Sequence, residues 1–326
     1  MRRDIVIAAF AVVGLLIGTA GMEAQQEAPS SSTVVRESLN DAWWTGPILA
    51  ASGATLPRGH SLIEPYFYDV RGNHTNSFGT SSYVLYGIAD GLTVGSIPSG
   101  GFNMVSNGLS SSSVGMGDFT LLAQHRLTQF HEGSWVPTTG VVVEETLPIG
   151  KYDQLGDRPS NGLGSGTYTT TLGFYPQTYF WLPNGRILRM RFDVTQAFSS
   201  VAKVEGVSVY GTTAGFSGNA KPGNSFFADP AWEYSLTRNW VLALDATYRH
   251  NWNTRVSGYD ASTPGSEQSP TIVLMNTGSS DVFGFAPAIE YNLRSNLGII
   301  LGTRVIPASH NTNATITPVM AINFVH

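Results

Sequence analysis

The sequence has no cysteine, and charged residues make up only 13% of its 326 positions. The missing cysteines exclude disulfides, thiolate nucleophiles, thiolate metal sites and a lipid-modified cysteine anchor. Soluble domains carry about 25% charged residues, so roughly half of the usual surface charge is absent. A formal net charge of −5, without any basic patch, argues against nucleic acid as a partner. The composition therefore favours a chain whose exterior faces lipid.

Beyond its first twenty residues the sequence also lacks any apolar run near the ~20 residues that a transmembrane helix requires. At the start, Arg2 and Arg3 precede the apolar residues 5–17, and the small residues 18–20 follow. This pattern predicts a cleaved secretion signal at residues 1–20. If the exported chain crosses a membrane, its strands have to do so as a closed barrel.

Sequence motifs for catalysis, cofactors and metals are absent as well. The seven histidines are scattered, without metal-ligand spacing, and no GxSxG occurs. Serine, histidine and aspartate are plentiful, but no arrangement of them singles out a nucleophile. We therefore expect no catalytic residue, no cofactor and no metal, and we keep a membrane-embedded hydrolase as a minor alternative.

The region 226–252 alternates between apolar and polar residues with a period of two. Its apolar positions are Phe226, Ala228, Trp232, Tyr234 and Leu236 before a turn at 237–239, and Trp240, Leu242, Leu244, Ala246, Tyr248 and Trp252 after it. Side chains on a strand point to opposite faces, so this pattern predicts a hairpin with one apolar face. Each apolar face is about ten residues long and has aromatic ends, which suits a tilted strand crossing a bilayer. A hairpin of a soluble sandwich alternates too, so the rest of the chain has to decide.

Twelve strands of this kind are predicted between residue 60 and the C-terminus. They are 62–70, 82–89, 92–98, 117–129, 135–147, 166–181, 186–199, 226–236, 240–252, 281–293, 297–306 and 313–325. The mostly long connections are 71–80, 99–116, 148–165, 200–225 and 253–279, and strand extensions around 207–210 are an option within the fourth of them. The tight turns include 90–91, 182–185, 237–239 and 294–296. Short periplasmic turns that alternate with long extracellular loops are typical of outer-membrane barrels. We therefore expect an all-β fold, a transmembrane antiparallel up-and-down barrel of about twelve strands.

The N-terminal residues 21–58 do not alternate in this way. They are polar at first and then small and apolar, as in the stretch TGPILAASGATLP at 45–57. Two interpretations stay open, a periplasmic segment or a partial plug threaded into the lumen. The expected organisation is a signal peptide at 1–20, this segment at 21–58, and the barrel at 59–326.

The polar faces of the predicted strands collect charges of both signs. Projected inward, the predicted lumen-lining residues are Arg126, Glu144, Arg189, Arg191, Asp193, Asp229, Glu233, Asp245, Arg249, Glu290 and Arg304. Charges at this depth are costly unless they are solvated or paired. They either brace the lumen as ion pairs or line a polar opening for a small solute. The mixture of signs argues against strong selectivity for anions or cations.

Several stretches, in their order and spacing, resemble a family of outer-membrane transporters named for the MetA pathway of phenol degradation. They are residues 45–69, 85–95, 117–127, 147–153, 163–180 and 233–250. The resemblance covers most of the chain after Thr45. It implies a channel similar in concept to FadL-like hydrocarbon channels, which imports aromatic or other hydrophobic compounds and has no catalytic residues.

Together these patterns predict a channel in the outer membrane of a Gram-negative cell for passive uptake of small hydrophobic or aromatic compounds. The expected partners are outer-membrane lipid, these solutes and the barrel-assembly machinery. A terminal strand with a near-terminal Phe324 resembles the signal that this machinery reads, although Val325 and His326 follow it. A structural or surface-interaction barrel without transport is the first alternative function, and the hydrolase is the second.

Overall fold

A computed structural model describes residues 34–261 and 270–326 of the chain, so the expected secretion signal lies outside the described residues. The body considered below begins at Arg36. It is built from β-strands, with a single short 3-10 turn at Pro159–Asn161 in the described part. None of the described helical segments is long and apolar enough to cross a membrane.

The described residues form eighteen strands, numbered in chain order. They are β1 (Ser61–Arg71), β2 (Thr75–Ala89), β3 (Leu92–Ile97), β4 (Ser99–Val105), β5 (Gly115–Met116), β6 (Phe119–Thr128), β7 (Thr138–Leu147), β8 (Thr169–Trp181), β9 (Ile187–Ser199), β10 (Ala202–Glu205), β11 (Phe216–Lys221), β12 (Ser225–Ser235), β13 (Trp240–Asn251), β14 (Arg255–Asp260), β15 (Thr271–Asn276), β16 (Ser280–Arg294), β17 (Leu297–Ile306) and β18 (Thr315–Val325).

Twelve of these strands close an antiparallel barrel. Their order is β1, β2, β3, β6, β7, β8, β9, β12, β13, β16, β17 and β18, and β18 pairs back onto β1. β3 and β4 pair with β2 in one continuous register. They are two strands because Pro98 lies between them, and a proline has no N–H to donate to the ladder. The predicted all-β class and the predicted twelve-stranded barrel are confirmed.

Two connections that were expected to be loops are largely strand. β2 begins at Thr75, so a turn at 72–74 joins it to β1 in place of a loop at 71–80. The expected loop 99–116 contains β4 and β5. Both extensions are rich in Ser, Thr, Asn and Gly. Where a strand continues beyond the apolar band of the barrel, its outward side chains need not be apolar. The sequences of these two extensions therefore do not alternate between apolar and polar residues.

The expected loops 200–225 and 253–279 contain a second, four-stranded antiparallel sheet with the order β10, β11, β14, β15. Its buried core includes Val204, Phe216 and Val256, and Tyr210 packs against it. Burial, together with the nearby carboxylate of Asp118 and the Tyr152 hydroxyl, raises the pKa of Tyr210 to about 12. The Tyr210 hydroxyl therefore stays protonated and donates to the backbone oxygen of Ser165. Long loops with strand extensions around 207–210 were the expectation, but the strands of this region lie at Ala202–Glu205 and Phe216–Lys221, and their sheet has a core of its own.

The outward face of the barrel is apolar, as the period of two predicts. On β13, Leu244 is 40% exposed whereas its neighbour Asp245 is fully buried. Aromatic pairs lie near both ends of this strand, with Trp240 and Tyr291 at 4.5 Å between ring centroids and Tyr248 and Phe283 at 4.9 Å. At about 3.3 Å per residue the two pairs are roughly 26 Å apart along the strand, which at a tilt of about 40° spans roughly 20 Å of an apolar band about 25 Å tall.

Leu244→Arg is expected to impair folding of the barrel in lipid vesicles. An outward arginine near the middle of the apolar band costs about 2–4 kcal/mol, because its guanidinium has to leave water. The measurement is a urea titration of the folded fraction, read from heat-modifiable migration on gels. Leu244→Val is the matched control and should fold like the wild type. An unchanged urea midpoint for Leu244→Arg would mean that this face does not contact lipid.

Candidate functional site

The inward faces of the strands bring most of the predicted lumenal residues together. Those that line a shared cavity are Glu144, Arg189, Arg191, Asp193, Arg249 and Arg304. Those that lie fully buried beside it in the barrel wall are Asp229, Glu233, Asp245 and Glu290. Arg126 is the exception, since it lies next to a register shift near the C-terminal end of β6 and is not part of the cavity wall.

A buried ion-pair cluster joins β9 to β12. Glu233 lies directly opposite Arg189 in the ladder, and the Arg189 Nε donates to Glu233 Oε2 at 2.6 Å. A second guanidinium N–H of Arg189 donates to the other carboxylate oxygen. Arg191 Nε lies 3.1 Å from Glu233 Oε2, and all three side chains are at most 7% exposed. One carboxylate therefore compensates two buried cations, so removing it leaves both of them unpaired.

Other lumenal carboxylates bind backbone amides of the N-terminal segment, residues 36–60. Ile48 N and Ala50 N each donate to the carboxylate of Asp245 at 3.0 Å. Ala51 N donates to Asp193 Oδ2 at 2.6 Å. Bonds from N–H groups to an ionised carboxylate are about twice as strong as bonds between neutral groups. These acidic side chains thus accept hydrogen bonds from main chain and form no ion pair within 4.0 Å in the described residues.

The same pattern continues toward the start of this segment. Thr45 N donates to Glu290 Oε2 at 2.7 Å, and Gly46 N donates to the same oxygen at 3.1 Å. Arg191 contributes from β9, since its Nη1 donates to the backbone oxygen of Ala50 at 2.7 Å. The segment therefore lies against inward side chains of β9, β13 and β16 together.

The N-terminal segment is also fixed at both of its ends. At one end the Trp181 Nε1 donates to the backbone oxygen of Glu37 at 2.7 Å, and Arg186 pairs with the Glu37 carboxylate at 3.1 Å. At the other end Leu56 N donates to Thr93 Oγ1 at 2.8 Å. These contacts involve β8 and β3, on different parts of the barrel wall. The barrel therefore holds the segment along its whole described length.

Backbone packing between the segment and the barrel wall is close enough to exclude side chains. A Cβ on Gly53 would lie 2.2 Å from the backbone oxygen of Tyr175, and a Cβ on Gly298 would lie 1.8 Å from Thr45 Oγ1. Real Cβ atoms do not approach so closely, so glycine is required at both positions. One of them belongs to the segment and the other to β17.

A cavity of about 510 Å³ remains beside the segment. Its wall includes the tyrosine rings of residues 66, 83 and 175 and the apolar side chains of Leu85 and Leu122. The charged residues of the wall are those given above, Glu144, Arg189, Arg191, Asp193, Arg249 and Arg304. Sequence reasoning missed Glu64, which also lines the cavity. It missed Glu64 because β1 carries large apolar residues on both faces, so the strand shows no polar face from which the charge could be assigned.

No catalytic or metal-binding arrangement emerges from the described residues. The clearest pairing of His with an acid is outside the lumen, where the His250 ring lies 2.8 Å from Asp281 and Tyr248 donates to the same carboxylate. No serine or threonine hydroxyl is bonded to that ring in the described part of the chain. The described residues also contain no group of three His, Cys, Asp or Glu side chains that fits a metal ion.

Comparison with known proteins places the fold. An outer-membrane channel of the COG4313 group from Pseudomonas putida F1 is similar over 84% of this chain and 97% of its own, with a TM-score of 0.59 and 13% identity. The porin NanC aligns over 80% of this chain and 98% of its own, with a TM-score of 0.45 and 9% identity. No family model and no curated protein matches the sequence. The fold is thus that of an outer-membrane barrel, and membership of the MetA-pathway family stays a prediction.

Glu233→Gln is expected to destabilise the barrel strongly. The substitution leaves the buried guanidinium groups of Arg189 and Arg191 without their carboxylate, which costs about 3–5 kcal/mol. Urea unfolding in detergent micelles measures the loss. The matched control is Asp41→Asn, which breaks the exposed ion pair with Arg238 at 3.0 Å and should cost no more than about 1 kcal/mol. Equal midpoints for the two variants would contradict the cluster's structural role.

Asp245→Asn is expected to loosen the N-terminal segment while the barrel stays folded. The amide keeps one acceptor but loses a charged oxygen, and a bond to a charged group contributes about 1.5 kcal/mol, so exchange of the amides at 48–50 should rise about tenfold. Hydrogen–deuterium exchange followed by mass spectrometry measures this rate. Asp229→Asn is the control, because both Asp229 carboxylate oxygens lack hydrogen-bond partners in the described part of the chain. If both variants exchange alike, the Asp245 bonds do not hold the segment.

Proposed function

We propose that this chain is an outer-membrane channel through which small hydrophobic or aromatic molecules diffuse passively into the cell. The observation that carries the proposal is the cavity of about 510 Å³ that remains inside a closed barrel beside the N-terminal segment. Cavities of about 300–1,000 Å³ are typical of sites for small molecules. A single aromatic ring with its substituents fits within that range.

The chemistry of the cavity wall supports an aromatic solute. Tyr66, Tyr83 and Tyr175 present flat apolar rings that each end in a hydroxyl group, and Leu85 and Leu122 add aliphatic surface. Aromatic rings bind one another in offset or edge-to-face arrangements, and the hydroxyl group supplies a polar contact. The strong lumenal charges of Glu233 and Asp245 are already satisfied by arginine or by backbone amides. Glu233 and Asp245 therefore do not require water from the space through which the solute passes.

In this proposal the N-terminal segment is a partial plug of the lumen. Its amides are bonded to Asp193, Asp245 and Glu290, on three different strands, and its ends are fixed as well. Ejecting it would leave those buried carboxylates without donors, at a cost of roughly 1–3 kcal/mol or more for each. The solute accordingly passes beside the segment, and the segment narrows the passage without opening as a lid.

The proposal includes export by the predicted signal at 1–20 and residence in the outer membrane. The apolar outward face, with its aromatic pairs near both ends, suits contact with lipid. The barrel-assembly machinery is the proposed partner during insertion. It would meet β18, whose Phe324 points outward and is 41% exposed.

A surface-interaction barrel without transport is the second candidate function. The observation in its favour is the additional sheet β10–β11–β14–β15, on which Ile272 and Leu274 are 67% and 74% exposed. An edge strand has unpaired backbone groups that can bond to a strand of another protein, and exposed apolar side chains on it add a contact surface. Uptake measurements separate the two candidates, since this one predicts no uptake. The hydrolase alternative predicts turnover of ester substrates by purified refolded protein.

The test is uptake of radiolabelled phenol and toluene by porin-deficient Gram-negative cells that express the chain. We expect faster uptake than in cells without the chain, because the cavity gives these solutes a path through the barrel. Uptake equal to that of the empty cells, with folded protein present in the outer membrane, would reject the channel. Localisation is checked in the same cells by membrane fractionation.

A locked variant tests the passage beside the segment. The native chain has no cysteine, and Ser52 Oγ lies 3.1 Å from Gln177 Oε1. Cysteine is shorter than glutamine, so Ser52→Cys and Gln177→Cys are joined through a short cross-linker that forms a reducible disulfide with each thiol, and this links the segment to β8. We expect the oxidised and reduced forms to take up phenol at equal rates. Uptake that requires reduction would show that the segment has to move, and either result leaves the channel function intact.

A further inference from the structure

Two inward arginines differ from the rest of the lumenal charges. Arg249 on β13 and Arg304 on β17 line the cavity, but within residues 34–261 and 270–326 neither has a carboxylate oxygen within 4.0 Å. Arg304 Nε is buried and has no hydrogen-bond partner in the same residues. By contrast, Arg189 and Arg191 share Glu233. An unpaired guanidinium in a barrel wall is costly, so an anion is the expected complement.

The geometry around this arginine pair leaves room for such an anion. β16 separates β13 from β17. Arg249 lies opposite Val282 of β16, whereas Arg304 lies in the row of Ala286, so the small inward residues Gly284 and Ala286 leave space on β16 between the two arginine rows. Arg249 Cζ lies 4.7 Å from the ring centroid of Phe227, so the ring covers one face of the guanidinium. The N–H groups at the guanidinium edge stay available. Planar guanidinium edges match the two oxygens of a carboxylate.

The acidic groups nearby do not replace an external anion. Asp245 lies in the same row as Arg304, across Ala286, but its oxygens accept the amides of the N-terminal segment. Asp229 is close enough to Arg304 for the two charges to attract each other, but in the described chain it lies beyond 4.0 Å and hydrogen-bonds to neither arginine, so the guanidinium N–H groups stay open to a second carboxylate. Glu64 and Glu144 line the same cavity without an ion pair to either arginine in the described chain. The pair therefore keeps its donors, and the ring-bearing wall of tyrosines faces the same space.

We propose that Arg249 and Arg304 form a binding site for the carboxylate of a small aromatic acid, with the ring of the acid held among Tyr66, Tyr83 and Tyr175. The inference rests on the proposed channel function and narrows its solutes to aromatic carboxylates. The site lies within the cavity, so an acid bound there is on the passage and not at the surface. Benzoate is the simplest molecule of this class.

The test is equilibrium binding of benzoate to refolded protein in detergent, measured by isothermal titration calorimetry. The double variant Arg249→Gln with Arg304→Gln should bind benzoate at least about tenfold more weakly, because each charge-assisted bond is worth a factor of that order. Binding of benzyl alcohol, which has the ring without the carboxylate, should be weak in the wild type and unchanged in the variant. Equal benzoate affinity in the wild type and the double variant overturns the site.

Control variants separate loss of binding from loss of folding. Arg71→Gln changes an arginine that is paired with Asp69 at 2.6 Å and is 60% exposed, and it should bind benzoate like the wild type. Arg249→Lys and Arg304→Lys keep the positive charge and should retain more affinity than the Gln variants. Heat-modifiable migration establishes that each variant is folded. Lysine variants as weak as the glutamine variants, in folded protein, would contradict recognition by charge.

Acetate tests the aromatic part of the inference. Acetate should bind much more weakly than benzoate, and an equal affinity would contradict a role for the tyrosine wall. The channel and the site can fail separately. Benzoate binding without any uptake of phenol, toluene or benzoate rejects the proposed channel, whereas uptake without arginine-dependent binding rejects the site.

Discussion

The interior of this barrel depends on bonds between lumenal carboxylates and the backbone of the N-terminal segment. Asp193, Asp245 and Glu290 lie on different strands, and each accepts an amide of residues 45–51. Without those amides the acids would be buried charges with no donor, and without the acids the segment would carry unsatisfied N–H groups. Each side therefore satisfies the other. The cavity is the space that this mutual arrangement leaves.

Much of the barrel could be predicted because lipid imposes a strict rule on the outward face. Positions such as Leu244 must be apolar while neighbours such as Asp245 need not be, and this contrast assigns both faces. The rule ends where the strand leaves the apolar band. That is why the sequence predicts loops at the start of β2, at β4 and β5, and in the sheet β10–β11–β14–β15. Their pairing rests on backbone bonds and on a small local core, neither of which has a period in the sequence.

The lumen was harder to predict than the outer surface. Alternation places Asp245 and Glu290 inward but cannot show that their partners are amides two hundred residues away in sequence. The relevant feature of the segment is its small residues, such as Gly53, which approach the wall too closely for a side chain. Composition alone shows that this stretch is apolar, and it does not show whether the stretch lies inside or outside the barrel. Only the interatomic distances in the structure show that Glu233 is bound by arginine side chains whereas Asp245 is bound by main-chain amides.

The docked segment also fixes an order of events during folding. It is synthesised before the barrel strands, yet Thr45 binds Glu290, which follows it by 245 residues. Its docking surface combines β3, β8, β9, β13 and β16, so this surface does not exist until the sheet has nearly closed. The first part of the body in sequence therefore cannot reach all of its native contacts before the strands that follow it have paired. A barrel in which the segment has not docked has a wider lumen than the native protein.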